Sequence, residues 1–165
     1  MIGLIVLAAT YQRFRFTTLV YTVIALHMCL LCVGGHYTYA REPVFNWLRS
    51  TFHWQRNDYD RLGHFAQGFV PALVAREILI RARVLARPGW MPFLILSISL
   101  AISACYEFIE WLTALVSGSA ATEFLATQGD TWDTQEDMFM ALIGALSAVM
   151  LMSPWHNRQI AQLTT

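Results

Sequence analysis

Residues 90–116 read WMPFLILSISLAISACYEFIEWLTALV, a stretch whose only charged side chains are Glu107 and Glu110. A helix crosses the roughly 30 Å hydrocarbon core of a bilayer with about 20 mostly apolar residues, so this stretch is long enough to span a membrane. Three further stretches come close to that length, residues 16–35, 63–80 and 137–153. We therefore predict an all-α polytopic membrane helix bundle with four full transmembrane helices.

The composition favours the same class of protein. The chain has 165 residues, of which 56% are hydrophobic and only 13% charged, too apolar for an ordinary soluble domain. Its 11 basic residues are all arginine and are balanced by 11 acids, so no basic surface points to nucleic acid. The lipid bilayer is the partner that the composition predicts.

Two shorter segments complete the predicted architecture. Residues 1–10 are apolar but too short to span, which predicts a truncated first helix. Residues 43–55 place Phe45, Leu48 and Phe52 on one helical face, as expected for a helix lying in the membrane interface. Neither an internal repeat nor a second domain is visible, so residues 1–165 are predicted to form a single transmembrane domain.

Arginines predict the orientation, because basic residues in short loops stay on the cytoplasmic side. Three predicted loops on one side carry Arg13, Arg15, Arg81, Arg83, Arg87 and Arg158. The loop at residues 117–136 is acidic, holds no basic residue and falls on the opposite side. The C-terminus is therefore predicted to be cytoplasmic.

Asp60 and His64 are four positions apart, which puts both side chains on one face of a helix. One interpretation is an interfacial ion pair, or an aspartate near a helix N-terminus bonded to a histidine. The other is a histidine that a carboxylate orients as a base or as a metal ligand.

Glu107 and Glu110 also share a helical face, within the longest span. A carboxylate in hydrocarbon is costly unless it is paired, neutralised or hydrated, so Glu107 is expected to face the bundle interior or water. Glu110, beside Trp111, is expected at the surface. The pair resembles a metal-binding motif but lacks the histidine at helical spacing that would make a di-iron site specific.

A further acidic run, residues 127–137, leads into the last span. Asp133 and Glu136 have the spacing of a capping box, with Asp133 at the N-cap. Capping leaves Asp130, Gln135 and Asp137 unexplained. Such acids, together with His36 and His64, can hold a hard cation or position a water molecule.

The alternating direction of the spans predicts that His64, Glu107 and Asp137 meet at the outer end of the bundle. Asp60 would then orient His64, and Asp133 would cap the last helix. At the other end, Arg76 and Glu77 are expected to form a charge pair that reaches the cytoplasmic interface. The three cysteines, all in apolar stretches, are expected to be small buried residues.

Four motifs carry a resemblance to a known family: GGHYTYA (residues 34–40), DRLGHFAQGFVPALVARE (60–77), ACYEFIEW (104–111) and TQGDTWDTQEDM (127–138). They resemble the signature stretches of the YjdF family of bacterial inner-membrane proteins, a domain of unknown function. The resemblance implies a multi-pass protein of the bacterial inner membrane and supplies no reaction. A looser likeness links Asp60, Arg61, His64, Glu107 or Glu110, and Asp137 to VanZ-like proteins, and implies a role at the cell envelope.

Three classes of function remain open from the sequence. The outer polar residues can bind a cation, a lipid headgroup or an envelope glycolipid. Alternatively, His64 or Glu107 can be the general base of an intramembrane enzyme that acts on a lipid-linked substrate, with or without a metal. A purely structural bundle is the third possibility. The sequence by itself identifies no catalytic residue, metal or cofactor.

Overall fold

The computed structural model describes residues 2–117 and 128–164, and this part of the chain is helical without a β-strand. Its α-helices are α1 (Ile2–Thr10), α2 (Thr18–Tyr37), α3 (Pro43–Phe52), α4 (Tyr59–Arg81), α5 (Met91–Ser117) and α6 (Asp133–Thr164). Short 3₁₀ helices precede α3 at Tyr39–Arg41 and α5 at Pro88–Trp90. The predicted all-α class is confirmed.

Three of the described helices are long and apolar enough to cross a membrane. They are Thr18–Tyr37, Pro88–Val116 and Asp133–Leu163, with mean hydropathies of 1.9, 1.8 and 1.7. The predicted second span corresponds to α4, which has the length but not the apolar composition of the others. By length and composition, the described helices therefore provide three candidate spans, whereas four were predicted.

Helix α4 is polar because it lies at the centre of the bundle. Helices α2, α5 and α6 all pack against it, and 13 of its 23 residues are buried. A side chain that neighbouring helices shield from lipid does not have to be apolar. Most of the polar and charged side chains of α4 are therefore buried against its neighbours and do not face lipid.

An apolar core separates the two ends of the bundle. Leu73 of α4, Ile95 of α5 and Val20 of α2 are each fully buried there. Helix α6 contributes Ala145 and Ala148, whose small side chains let its backbone approach α4 closely. We refer to the two ends as the His64 end and the Glu77 end, after the α4 residues that lie there.

Helix α3 lies where the interfacial helix was predicted, and its position at the membrane interface stays a prediction. Pro43 occupies its first turn, and the Glu42 carboxylate caps it by accepting a hydrogen bond from the Phe45 backbone N–H at 2.7 Å. The helix ends at Phe52, and the next residue, His53, has a left-handed conformation. Phe45 packs against Tyr59, whereas Phe52 is exposed and stacks on Trp54, so the predicted apolar face only partly covers the bundle.

The last span was predicted too short. It was expected to end at residue 153, but α6 continues through Pro154 to Thr164. The extension is polar in sequence, yet Ile160 is buried and the Gln159 side chain accepts a hydrogen bond from the Leu19 backbone N–H at 2.8 Å. Helix α6 therefore continues beyond its apolar stretch because its end contacts α2. Hydropathy does not record such contacts.

The expected burial of the cysteines is wrong. Cys29, Cys32 and Cys105 are all exposed and unpaired. Each lies on the outward face of an apolar helix, where a small apolar side chain is as compatible with lipid as it is with a core.

Candidate functional site

Two glycines bring α4 and α6 into backbone contact. A Cβ atom on Gly68 would overlap the Ala141 carbonyl, and one on Gly144 would overlap the Phe65 carbonyl. Close approach through small residues is the usual way in which membrane helices pack tightly. It places the turn of α4 that carries His64 directly against the first turns of α6.

A buried polar cluster lies at this contact. We call Asp60, His64, Glu107 and Asp137 the acidic cluster; all four side chains are at least nine-tenths buried. The His64 Nε2 atom lies 3.7 Å from an Asp60 oxygen and 3.8 Å from an Asp137 oxygen, and its Nδ1 atom lies 3.6 Å from a Glu107 oxygen. The predicted convergence of His64, Glu107 and Asp137 from three helices is confirmed.

These contacts are too long to be direct hydrogen bonds. His64 Nδ1, Glu107 Oε1, Asp60 Oδ2 and both carboxylate oxygens of Asp137 are buried without a hydrogen-bond partner among the described residues. Among the described residues, His64 is the basic side chain that lies within 4 Å of the carboxylates of Asp60, Glu107 and Asp137. Buried polar atoms are rarely left unsatisfied, so a cation or water molecules belong between them.

The spacing fits a metal ion. Ligand atoms about 2.0–2.2 Å from one ion lie roughly 3–4 Å from one another. Asp60, His64 and Asp137 form one group whose ligand atoms all lie within 4.8 Å of each other, and His64, Glu107 and Glu110 form a second. Glu110 is half-buried rather than at the surface as expected, and His64 belongs to both groups. One histidine with several carboxylates is a ligand set that suits Zn²⁺ or Mn²⁺.

A network of ion pairs lies beside the acidic cluster. Arg56 contacts Asp130 at 3.0 Å and Asp133 at 2.5 Å, and Arg61 contacts Asp58 and Asp130, each at 3.1 Å. Arg61 also pairs with Glu136. A hydrogen bond from the Trp132 backbone N–H, followed by the contacts with Arg56, lowers the pKa of Asp130. This network ties the segment before α4 to the start of α6.

The structure disagrees with the capping box predicted for Asp133. The Trp132 carbonyl accepts the first hydrogen bond of α6, from the Glu136 backbone N–H, so Asp133 lies inside the first turn. Its carboxylate is buried and bonded to Arg56. The attraction of a nearby guanidinium, invisible in the local sequence, outweighs the capping role.

Two predicted site residues lie apart from the cluster. His36 is exposed near the end of α2, where its ring contacts Tyr37, and it belongs to neither group of converging ligands. Gln135 is exposed on α6. The helical rotation turns both side chains outward.

Sequence reasoning missed three buried polar residues next to the cluster. Gln67 is one turn from His64, while Ser103 and Ser99 lie four and eight positions before Glu107 on α5. All three are buried with an unpartnered atom in the described structure, whereas Thr22, Thr113 and Ser153 bond to the carbonyl four residues back. The spacing 99–103–107, a single helical face, was the signal available in the sequence.

A second polar cluster lies at the Glu77 end. The fully buried Glu77 carboxylate accepts hydrogen bonds from the Thr17 backbone N–H and hydroxyl at 2.8–3.1 Å and from Arg81 at 2.7 Å. It also lies 3.0 Å from His156 Nε2. The predicted Arg76–Glu77 pair at the interface is wrong, because Arg76 bonds to Asn157 instead. Adjacent residues on a helix point in different directions and rarely pair.

The fold and the site together define a helical membrane protein with a buried acidic cluster where its central helix meets α5 and α6. The chain belongs to the family described as a predicted membrane protein, DUF2238, whose model matches residues 1–158. The inner membrane protein YjdF of Escherichia coli (strain K12) is 52% identical over 154 residues, which cover 93% of this chain and 74% of that protein. No solved structure matches the chain. The YjdF resemblance is thus confirmed, and the VanZ likeness stays a prediction.

Proposed function

We propose that the acidic cluster binds a divalent metal ion, Zn²⁺ or Mn²⁺, at the periplasmic side of the inner membrane. The observation that carries this proposal is the buried set of Asp60, Glu107 and Asp137 around His64, each with one oxygen 3.6–3.8 Å from a ring nitrogen. Every one of these four residues also has at least one buried atom without a hydrogen-bond partner among the described residues. Three carboxylates and one imidazole without a compensating cation are costly to bury. A divalent ion removes most of that cost and occupies the atoms that water would otherwise satisfy.

Metal analysis of the purified protein tests the proposal. After stripping with EDTA and titration in detergent, the wild type should bind one Zn²⁺ or Mn²⁺ per chain. His64→Gln and Asp137→Asn should each weaken binding by at least tenfold, because each removes a ligand. His36→Gln is the matched control, since it alters an exposed histidine outside the cluster, and it should bind as the wild type does.

Two results would reject the metal site. One is a wild-type protein that takes up neither ion stoichiometrically. The other is equal loss of binding in His36→Gln and His64→Gln. Either result, with unaltered thermal unfolding of the variants, would favour a bundle whose polar residues only fix the packing of its helices.

The proposal includes a topology. Helix α4, with 23 residues, is long enough to be a fourth span, and shielding by its three neighbours removes the objection that it is too polar. Four spans place the arginines at positions 13, 15, 81, 83, 87 and 158 on the same side of the membrane as the C-terminus. Basic residues in short loops stay in the cytoplasm, so this side is cytoplasmic. Alkaline phosphatase fused after Thr165 should be inactive, and a fluorescent protein at the same place should fold. The reverse pattern would refute the topology.

An intramembrane enzyme is a second candidate function. It is favoured by the position of the His64 ring, which lies between Asp60 and Asp137 on one side and Glu107 on the other. With His64 as a ligand of the ion, Glu107 on the other side of its ring can serve as the general base toward water. Glu107→Gln should then abolish turnover of a lipid-linked substrate while most metal binding remains. Unchanged lipid extracts after incubation with the metal-loaded wild type would exclude this function.

For either candidate function, we propose that a lipid headgroup or an envelope glycolipid binds to the metal ion in addition to the protein side chains. The acidic cluster is enclosed by membrane helices, and a cavity of about 180 Å³ beside it is lined by Asp60, His64 and Gln67. A molecule already dissolved in the bilayer reaches such a cavity without crossing water.

A further inference from the structure

A groove between α2 and α4 extends from the acidic cluster towards the Glu77 end. Its first part is the cavity of about 180 Å³ that Asp60, His64 and Gln67 line. Its second part, of about 680 Å³, is lined by Ile24 and Met28 of α2, by Val70, Val74 and Ile78 of α4, and by α1. His27 lines both parts. On α4, Gln67 and Pro71 line the first part and Val70 and Val74 line the second, so the two parts adjoin at His27.

The polarity of the groove changes along its length. The first part is lined by Asp60, His64, Gln67 and the tyrosines Tyr39 and Tyr106 among apolar side chains, whereas the lining of the second part is apolar apart from Thr10 and His27. Val70 and Ala82 are 12 positions apart on α4, so the apolar part is about 18 Å long. A polar head joined to an extended apolar chain has the same distribution of polarity.

Two unpartnered polar atoms lie along the groove. Gln67, which is nine-tenths buried, has no partner for its Nε2 atom among the described residues, and the same holds for the buried His27 Nε2 atom. Gln67 is next to the acidic cluster, and His27 is where the polar part meets the apolar part. A donor at each of these places can bind the oxygens that connect a lipid head to its chain.

We propose that the groove binds a lipid phosphate of the outer leaflet, with the phosphate on the metal ion and one chain along α2 and α4. The inference rests on the proposed metal site, because three carboxylates would repel a phosphate without a cation between them. The acidic cluster lies at the predicted outer end, and the groove extends from it towards the Glu77 end. A lipid of the outer leaflet has the same orientation, with its phosphate outside and its chain pointing inward. Lipid binding is therefore expected to require both the metal ion and the acyl chain.

Native mass spectrometry in detergent tests this inference with defined lipids. The wild type loaded with Zn²⁺ or Mn²⁺ should retain phosphatidic acid, and EDTA should release it. Diacylglycerol, which lacks the phosphate, and inorganic phosphate, which lacks the chain, should each bind at least tenfold more weakly. Phosphatidic acid with octanoyl chains should also bind more weakly than the hexadecanoyl form.

A groove variant and a matched control separate this site from ordinary lipid contact. Val74→Phe fills the apolar part and should weaken binding of the long-chain lipid by about tenfold, while metal binding stays as in the wild type. Leu151→Phe adds an aromatic ring at an exposed position of α6 and should change neither.

The outcomes distinguish the two proposals. Stoichiometric metal with no retained phosphatidic acid would reject the lipid inference and leave the metal site standing. Failure to bind metal would reject the metal site itself. Lipid that survives EDTA, or that binds equally to Val74→Phe and Leu151→Phe, would show a nonspecific lipid contact and reject the groove.

Discussion

The two ends of the α4 helix bury carboxylates in opposite ways. At the Glu77 end, both oxygens of one carboxylate receive hydrogen bonds, from Thr17 and Arg81, with His156 in contact at 3.0 Å. At the His64 end, three buried carboxylates surround one histidine at 3.6–3.8 Å, and several of their oxygens have no partner in the described structure. The bundle is thus able to satisfy a buried acid, as it does at Glu77, but the described residues do not do so for the acidic cluster.

This difference separates a structural cluster from a ligand site. A carboxylate whose donors are all provided by the protein ties helices together and has no capacity for a ligand. A cluster with unpartnered acceptors keeps that capacity, at a cost to the stability of the unliganded protein. Unfolding measurements on matched variants of the two ends can therefore test the assignment.

The largest effect is expected at Glu77. Glu77→Ala leaves the Thr17 N–H, Arg81 and His156 without their shared acceptor and should reduce the free energy of unfolding by about 3–5 kcal/mol. Denaturation in mixed detergent micelles measures this change. Glu136→Ala, which removes a half-exposed partner of Arg61, is the control and should cost no more than about 1 kcal/mol. Similar losses in both variants would mean that the Glu77 cluster contributes no special stability.

Asp137 should behave differently, because its charge lacks a donor. In EDTA, Asp137→Asn should be as stable as the wild type or more so, since the amide removes a buried charge. Metal at 100 times the wild-type dissociation constant should stabilise the wild type by about 2.7 kcal/mol and a variant with at least tenfold weaker binding by no more than about 1.4 kcal/mol. If Asp137→Asn instead unfolds as readily as Glu77→Ala under EDTA, the two clusters are not built differently.

A smaller effect is expected from the glycine contact that positions the acidic cluster. Gly144→Ala forces α6 away from the Phe65 carbonyl, next to His64, and should destabilise the protein by about 1–3 kcal/mol while weakening metal binding. Gly35→Ala, where an added Cβ meets nothing within 4 Å, should be neutral or stabilise α2 by up to about 1 kcal/mol. Metal titration and unfolding of both variants check this. Unaltered metal affinity in Gly144→Ala would separate the cluster from the helix contact.

The smallest effect concerns the ion-pair network beside the cluster. The pKa of Asp130 lies below its usual value of 3.8, so its stabilising contribution is present above that value and is lost as the pH falls through the lowered pKa. Asp130→Asn should therefore be slightly less stable than the wild type at pH 6, and the difference should vanish in stronger acid. Unfolding curves across this range measure it. A difference that grows with acidification would have the wrong sign.

Much of this architecture follows from the sequence. Hydropathy located α2, α5 and the apolar part of α6, and the alternating direction of the spans brought His64, Glu107 and Asp137 to one end. Local rules were less reliable where a distant partner intervened. Asp133 has the spacing of a cap but binds Arg56, and Glu77 follows Arg76 but binds Thr17, Arg81 and His156.

The sequence by itself determined the membrane class, the apolar helices and the end at which the acids gather, because these depend on composition and on periodicity along one helix. Only the tertiary structure decided which acids are satisfied. Glu77 and Asp137 are both carboxylates on long helices, and nothing local distinguishes them. The distinction arises because Thr17 before α2, Arg81 of α4 and His156 of α6 meet at Glu77, whereas the described residues bring no such donors to Asp137.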